Sequence, residues 1–190
     1  MTDRLLCYLL LINGFGFLLF FVFGRGKQGV HTGLVALTAL LGGTAGLLIG
    51  LWKFDKRPVK EAAMQRVFLL SAAVLQVSAC LLYSGLKGKT PSFDVFGFFG
   101  QHQELPVWLM IINPATFLVY GGDKRHAKKG AQRRSVKLLL CLAAAGGSIG
   151  ALAGMYVFRH KTKKNYFTIG VPLILIAQLA LLFYAMNALK

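Results

Sequence analysis

The pattern Gly42-Gly43-x-x-Gly46-x-x-x-Gly50 returns with the same internal spacing as Gly146-Gly147-x-x-Gly150-x-x-x-Gly154. A chain written twice folds as two versions of one unit, which constrains its architecture more than any single residue does. The flanks keep the same order. Leu11-Ile12-Asn13 is answered by Ile111-Ile112-Asn113, and Leu75-Gln76 by Ala177-Gln178. Lys53-Phe54-Asp55-Lys56 stands where Val157-Phe158-Arg159-His160 stands in the second copy.

The repeated unit belongs in a bilayer. Hydrophobic residues make up 56% of the 190, and the mean hydropathy is positive, well outside the soluble range. Six apolar stretches, 5–23, 32–52, 67–86, 106–121, 136–158 and 166–188, reach or approach the roughly 20 residues that a transmembrane helix needs. They predict an all-α integral membrane protein with six transmembrane helices. Three-helix repeats occupy 1–86 and 106–190, and the aromatic segment 87–105 joins them at the interface. The first stretch has some signal-peptide character. No small-residue cleavage site follows Phe23, and its centre recurs at 111–118, so it reads as a retained span. Cys7, Cys80 and Cys141 sit in apolar segments without paired spacing and read as small core residues.

Three spans per repeat is an odd number, so tandem copies would enter the membrane in opposite directions, as an inverted repeat. With the amino terminus on the cytoplasmic side of a bacterial inner membrane, the basic loops 53–66 and 123–137 fall inside, as the positive-inside rule asks. The basic segment 159–164 then falls outside and resists. Folding 136–158 into a glycine-bent re-entrant hairpin would remove the conflict. Both arrangements stay open.

The glycines have a direct physical reading. Gly42/Gly46/Gly50 and Gly146/Gly150/Gly154 are small-residue stripes at four-residue spacing, with Gly43 and Gly147 beside them. Such stripes let two backbones approach closely. They either cross each other on the axis between the repeats or pack against helices of their own repeat.

Buried amides point to function, because placing them in hydrocarbon is costly. Asn13, Gln76, Asn113 and Gln178 sit near mid-depth of their stretches. With Ser148 they form a candidate substrate-binding set, suited to a partly dehydrated ion or a small polar solute. The plainer alternative is that they staple helices together. Pro114 follows Asn113 and would bend that span at its centre.

All six acidic residues lie in loops or at span ends, which argues against a proton-coupled exchanger built on a buried acid. The histidines lack metal-ligand spacing, and no phosphate loop, nucleotide fingerprint or Ser/His/Asp set is present. No metal or cofactor is therefore expected, and the balance leans away from an enzyme. The net charge of +16 lies mostly beside the spans. It predicts anionic lipid headgroups as partners within the lipid bilayer, and it could gather anionic solutes. Aromatics are not interleaved with the basic residues, which argues against nucleic acid.

The second repeat carries Asn113-Pro114-Ala115-Thr116-Phe117, then Asp123-Lys124-x-x-Ala127 with Arg134, then Gly146-Gly147-Ser148-x-Gly150 and Phe158-Arg159-His160-Lys161-Thr162. This resembles a family of small bacterial membrane proteins of unknown function, sometimes fused to a cold-shock domain. The resemblance covers about 107–188. The first repeat looks like a diverged copy, with Phe23-Gly24 in place of the Asp-Lys pair and Asp55-Lys56-Arg57 in place of 159–161. The resemblance implies a membrane location and a single-repeat relative that pairs with itself, and it leaves a homo-oligomer of this chain open. It brings no activity.

Asp123, Lys124, Arg134, Arg159, His160 and Lys161 form a charged set around the fifth stretch. In the inverted arrangement they are gate charges on opposite faces of a permeation path. In the re-entrant arrangement they converge on one interfacial site for a phosphate-bearing lipid or cofactor. As ordinary span-end charges they would only set topology. The leading functional reading is a small inverted-repeat transporter or channel for a small anion or polar solute. Its alternative is an interfacial enzyme or lipid-binding protein. Arg159-His160 with Tyr166 and Gly170 is faintly similar to membrane methyltransferases, but the proline expected after the histidine is missing.

Overall fold

The computed structural model describes residues 2–24, 26, 29–85, 91–128 and 134–188. These are helical wherever they are regular, and no strand occurs among them. Six helical segments are long and apolar enough to cross a membrane. The chain forms two compact units, Met1–Val77 and Ser78–Lys190.

In the first unit, α1 (Thr2–Phe23) is followed by α2 (Thr32–Thr38), a wide turn at Ala39–Gly43, α3 (Thr44–Phe54) and α4 (Val59–Gly85). The second unit opens with the short α5 (Val95–Gln101) and then repeats the scheme. Its helices are α6 (Glu104–Lys128), α7 (Val136–Leu142), a turn at Ala143–Gly147, α8 (Ser148–Val157), α9 (Asn165–Thr168) and α10 (Gly170–Ala188).

The second stretch of each unit does not run straight. Gly42 has φ 98° and Gly146 has φ 112°, backbone that only glycine adopts without strain. At each the helix reverses. In the second unit one carboxylate proves it. Asp123 accepts from the Arg134 N–H just before α7 (2.7 Å) and also meets His160 just after α8 (2.7 Å). A straight helix of the 22 residues Val136–Val157 would hold its ends about 33 Å apart. In the first unit Gln65 does the same work. Its amide donates to the Val30 carbonyl (2.6 Å) before α2 and accepts from Arg57 (2.5 Å) after α3.

One expectation is thereby corrected. Residues 32–52 and 136–158 do not run as straight helices but double back as helical hairpins, the arrangement left open above for 136–158. The hairpins are also the sheltered segments: 50% and 44% of their residues are buried, against 17–22% for the other four. The remaining helices present large apolar side chains outward, such as Leu11 and Met110 at about three-quarters exposure, as lipid contact requires. Cys7, Cys80 and Cys141, expected in the core, are likewise exposed.

The glycine stripes pack within their own repeat. A methyl added at Gly46 would overlap the Asn13 carbonyl, and one at Gly150 the Asn113 carbonyl. Gly50 meets Phe17 and Phe20, and Gly154 meets Phe117 and Tyr120. The outgoing helices α3 and α8 thus lie parallel to α1 and α6 respectively, backbone against backbone. Pro114 lies inside α6, which continues through it.

Candidate functional site at the hairpin tips and bases

Each tip exposes backbone groups that the reversal takes out of the helical ladder, and apolar surroundings make an unpaired one costly. Asn13 Oδ1 accepts from the Gly46 N–H (2.8 Å), and its Nδ2 donates to the carbonyls of Gly42 (3.1 Å) and Leu9 (2.8 Å). Asn113 repeats this on Gly150 (2.8 Å), Gly146 (3.1 Å) and Leu109 (2.9 Å). Gln76 donates to the Ala39 carbonyl (2.5 Å) and accepts from the Thr44 hydroxyl (2.5 Å). Gln178 donates to Ala143 and Ala144 (2.9 Å each) and accepts from the Ser148 hydroxyl (2.5 Å). An aromatic from the first helix adds a further tie: Tyr8 to the Leu41 carbonyl (2.8 Å), and Trp108 to that of Ala145 (2.8 Å).

The structure therefore gathers the carboxamides in pairs, one pair per tip, and Ser148 joins the second pair. Each of the four binds its tip through both its amide oxygen and its amide nitrogen. Tyr8, Thr44 and Trp108 were missed by sequence reasoning. Tyr8 and Trp108 each precede the repeat's asparagine by five residues, a signal that could have found them.

The bases hold the charges. In the second unit Asp123 is fully buried and takes three donors: the Arg134 N–H, His160 Nε2 and Lys161 Nζ (2.8 Å). Buried carboxylates persist when paired and hydrogen-bonded in this way. The Lys161 ammonium also lies 4.8 Å from the centre of the Phe167 ring, a cation–π contact. Phe167 in turn meets Tyr120 edge-on, with ring centres 6.0 Å apart. Arg159 (φ 45°) and Lys161 (φ 62°) adopt left-handed backbone, a strain that persists only where surroundings enforce it. Arg159, Lys163, Lys164, Arg125 and Arg134 are exposed around this centre, and Lys124 is half-buried. All six charged candidates thus converge on one end of the second unit.

The first unit closes its base differently. Asp55 accepts from Arg57 through its backbone N–H (3.0 Å), Nε (2.9 Å) and Nη2 (2.9 Å), and Gln65 completes the network. The carboxylate has moved from the place of Asp123, on α6, to the segment leaving the hairpin after α3. The Arg57 guanidinium packs directly on Gly29, whose φ of +65° and lack of a side chain make room. Asp55, Arg57 and Gln65 were missed as site residues. Their signal was Gln65 itself, three helical turns before Gln76 and so on the same face of α4.

Fold and site define a helical protein with membrane-length segments, built on hairpins cinched at tip and base. Residues 113–167 match the family described as "Protein of unknown function (DUF1294)". That stretch begins at the tip-binding asparagine and ends at the aromatic under Lys161, so it contains the hairpin and its base cluster. The chain is 40% identical over 78 residues to "Uncharacterized protein YsdA" of Bacillus subtilis (strain 168). The alignment covers 41% of this chain and 88% of that protein. The chain belongs to the DUF1294 family. No solved structure matches it.

Proposed function

We propose that the protein binds phosphate-bearing lipid headgroups at one membrane face, through the basic rim of the second hairpin's base. The observation that carries this is the pair of bonds from Arg134 and His160 to Asp123. They bring both ends of the hairpin together, so the flanking cations share one end of the unit. Asp123 occupies His160 and Lys161, while Arg159, Lys163 and Lys164 project outward. A juxtamembrane basic cluster attracts anionic lipid by about 1 kcal/mol per residue.

With its hairpin doubling back, each repeat crosses twice. Within each unit the basic segments at the hairpin base, 53–66 in the first and 123–137 with 158–164 in the second, would face the cytoplasm by the positive-inside rule. The start of α1 then lies on the opposite side, the reverse of the orientation drawn from six spans. The transport reading needs Asp123 and His160 on opposite faces and carboxamides free to hold a solute. Their mutual bond and the occupied amides both weigh against it.

The test uses delipidated protein and measures retained phosphatidylglycerol against zwitterionic phosphatidylcholine. The wild type is expected to prefer the anionic lipid. The exposed triple variant Arg159→Ala/Lys163→Ala/Lys164→Ala should weaken that preference by about tenfold or more, from about 1 kcal/mol per residue. A triple variant that prefers phosphatidylglycerol as strongly as the wild type does would overturn the proposal. Solute flux in liposomes that Asn113→Ala abolishes would instead restore transport.

A further inference from the structure

We infer that Arg66 anchors a second anion site, at the base of the first hairpin, and that its ligand is a phosphate group. Arg66 follows Gln65 on α4 and is half-buried. Its Nε is buried and has no hydrogen-bond partner among the described residues. Its Nη2 reaches the Arg57 carbonyl only at a long 3.4 Å. Among the described residues no carboxylate bonds it. Asp55 is already engaged by three donors of Arg57, and Glu61 is exposed earlier on α4.

A buried guanidinium donor without an acceptor is costly, and the natural complement of its planar fork is a carboxylate or phosphate. Arg66 lies seven residues into α4 from Val59, about 10 Å along the helix. That depth suits a group reaching in from the headgroup layer. Lys53 and Lys56, exposed where the hairpin leaves, add positive potential. Among the described residues no carboxylate pairs with Arg66, so a compensating anion from outside suits it.

The site belongs to the first unit and the rim to the second, and its test runs in the Arg159→Ala/Lys163→Ala/Lys164→Ala background to keep the two distinguishable. Thermal unfolding is followed in phosphate-free buffer and maltoside detergent, then with inorganic phosphate or with phosphatidylglycerol added. Arg66 protein is expected to gain several degrees with a phosphate source, and Arg66→Met to gain none. Without phosphate Arg66→Met should be at least as stable as its parent, because it removes an uncompensated buried charge. A gain from inorganic phosphate marks a free anion as the ligand, and a gain from the lipid alone marks a headgroup. Arg66→Lys keeps the charge but loses Nε, and should keep less than half of the gain. An undiminished gain in Arg66→Lys, or loss of stability by Arg66→Met in phosphate-free detergent, would overturn the inference.

Discussion

Replacing Asn113 by alanine isolates what holds a hairpin tip together. The side chain bonds the Gly150 N–H at 2.8 Å, the Gly146 carbonyl at 3.1 Å and the Leu109 carbonyl at 2.9 Å. Leu109 sits inside α6, so two groups are left stranded: one N–H at the start of α8 and one carbonyl at the turn. At about 1–3 kcal/mol for each buried unsatisfied group the loss would be about 2–6 kcal/mol. Interhelical hydrogen bonds in membranes measure nearer ~0.6–1.7 kcal/mol, which for two bonds gives about 1–3 kcal/mol. The ranges meet at about 2–3 kcal/mol. Asn13 makes the same bonds at 2.8, 3.1 and 2.8 Å, so Asn13→Ala should cost the same within about 1 kcal/mol. Unfolding free energies from denaturing-detergent titration in mixed micelles measure both. If each variant lies within about 0.5 kcal/mol of wild type, the asparagines are not tip staples and the reasoning fails.

The remaining predictions use other parts of the hairpins. Gly150→Ala drives a methyl into the Asn113 backbone carbonyl and should cost about 3 kcal/mol or prevent folding. Gly122→Ala, with nothing within 4 Å, should be neutral or slightly stabilising in the same detergent titration. Asp123→Asn leaves Lys161 and His160 without their shared carboxylate and should cost about 3–5 kcal/mol. A double-mutant cycle with Lys161→Met should then show coupling of about 1–3 kcal/mol, and additive losses would contradict the pairing. Gln65→Leu unlatches the first base from Val30 and Arg57, and should raise amide exchange in α2 and α3 while leaving α8 protected.

Much of this was legible in the sequence, for physical reasons that also mark where it stopped. Duplication, membrane-length segments and the pairing of Asn13 with Asn113 and Gln76 with Gln178 followed from spacing and hydropathy. The reversal at Gly42 and Gly146 did not. Two half-helices of about ten residues joined by apolar glycine carry the length and hydropathy of one span, and a glycine pair within a stripe reads as packing. The discordant signal was the basic segment 159–164 on the wrong side, and the hairpin resolves it. Nor could the sequence show the base of the first unit, because its carboxylate had changed elements, from the position of Asp123 to Asp55.

The doubling back of α7 and α8 is the central claim, and cysteine accessibility tests it most directly. With Cys7, Cys80 and Cys141 replaced, single cysteines are placed at the exposed positions Gln101, Arg125 and Lys163. They are labelled in intact membranes with an impermeant maleimide. Gln101 and Arg125 flank α6 and should label from opposite sides, while Arg125 and Lys163 should label from the same side. Labelling of Arg125 and Lys163 from opposite sides would make 136–158 a full span and contradict the account.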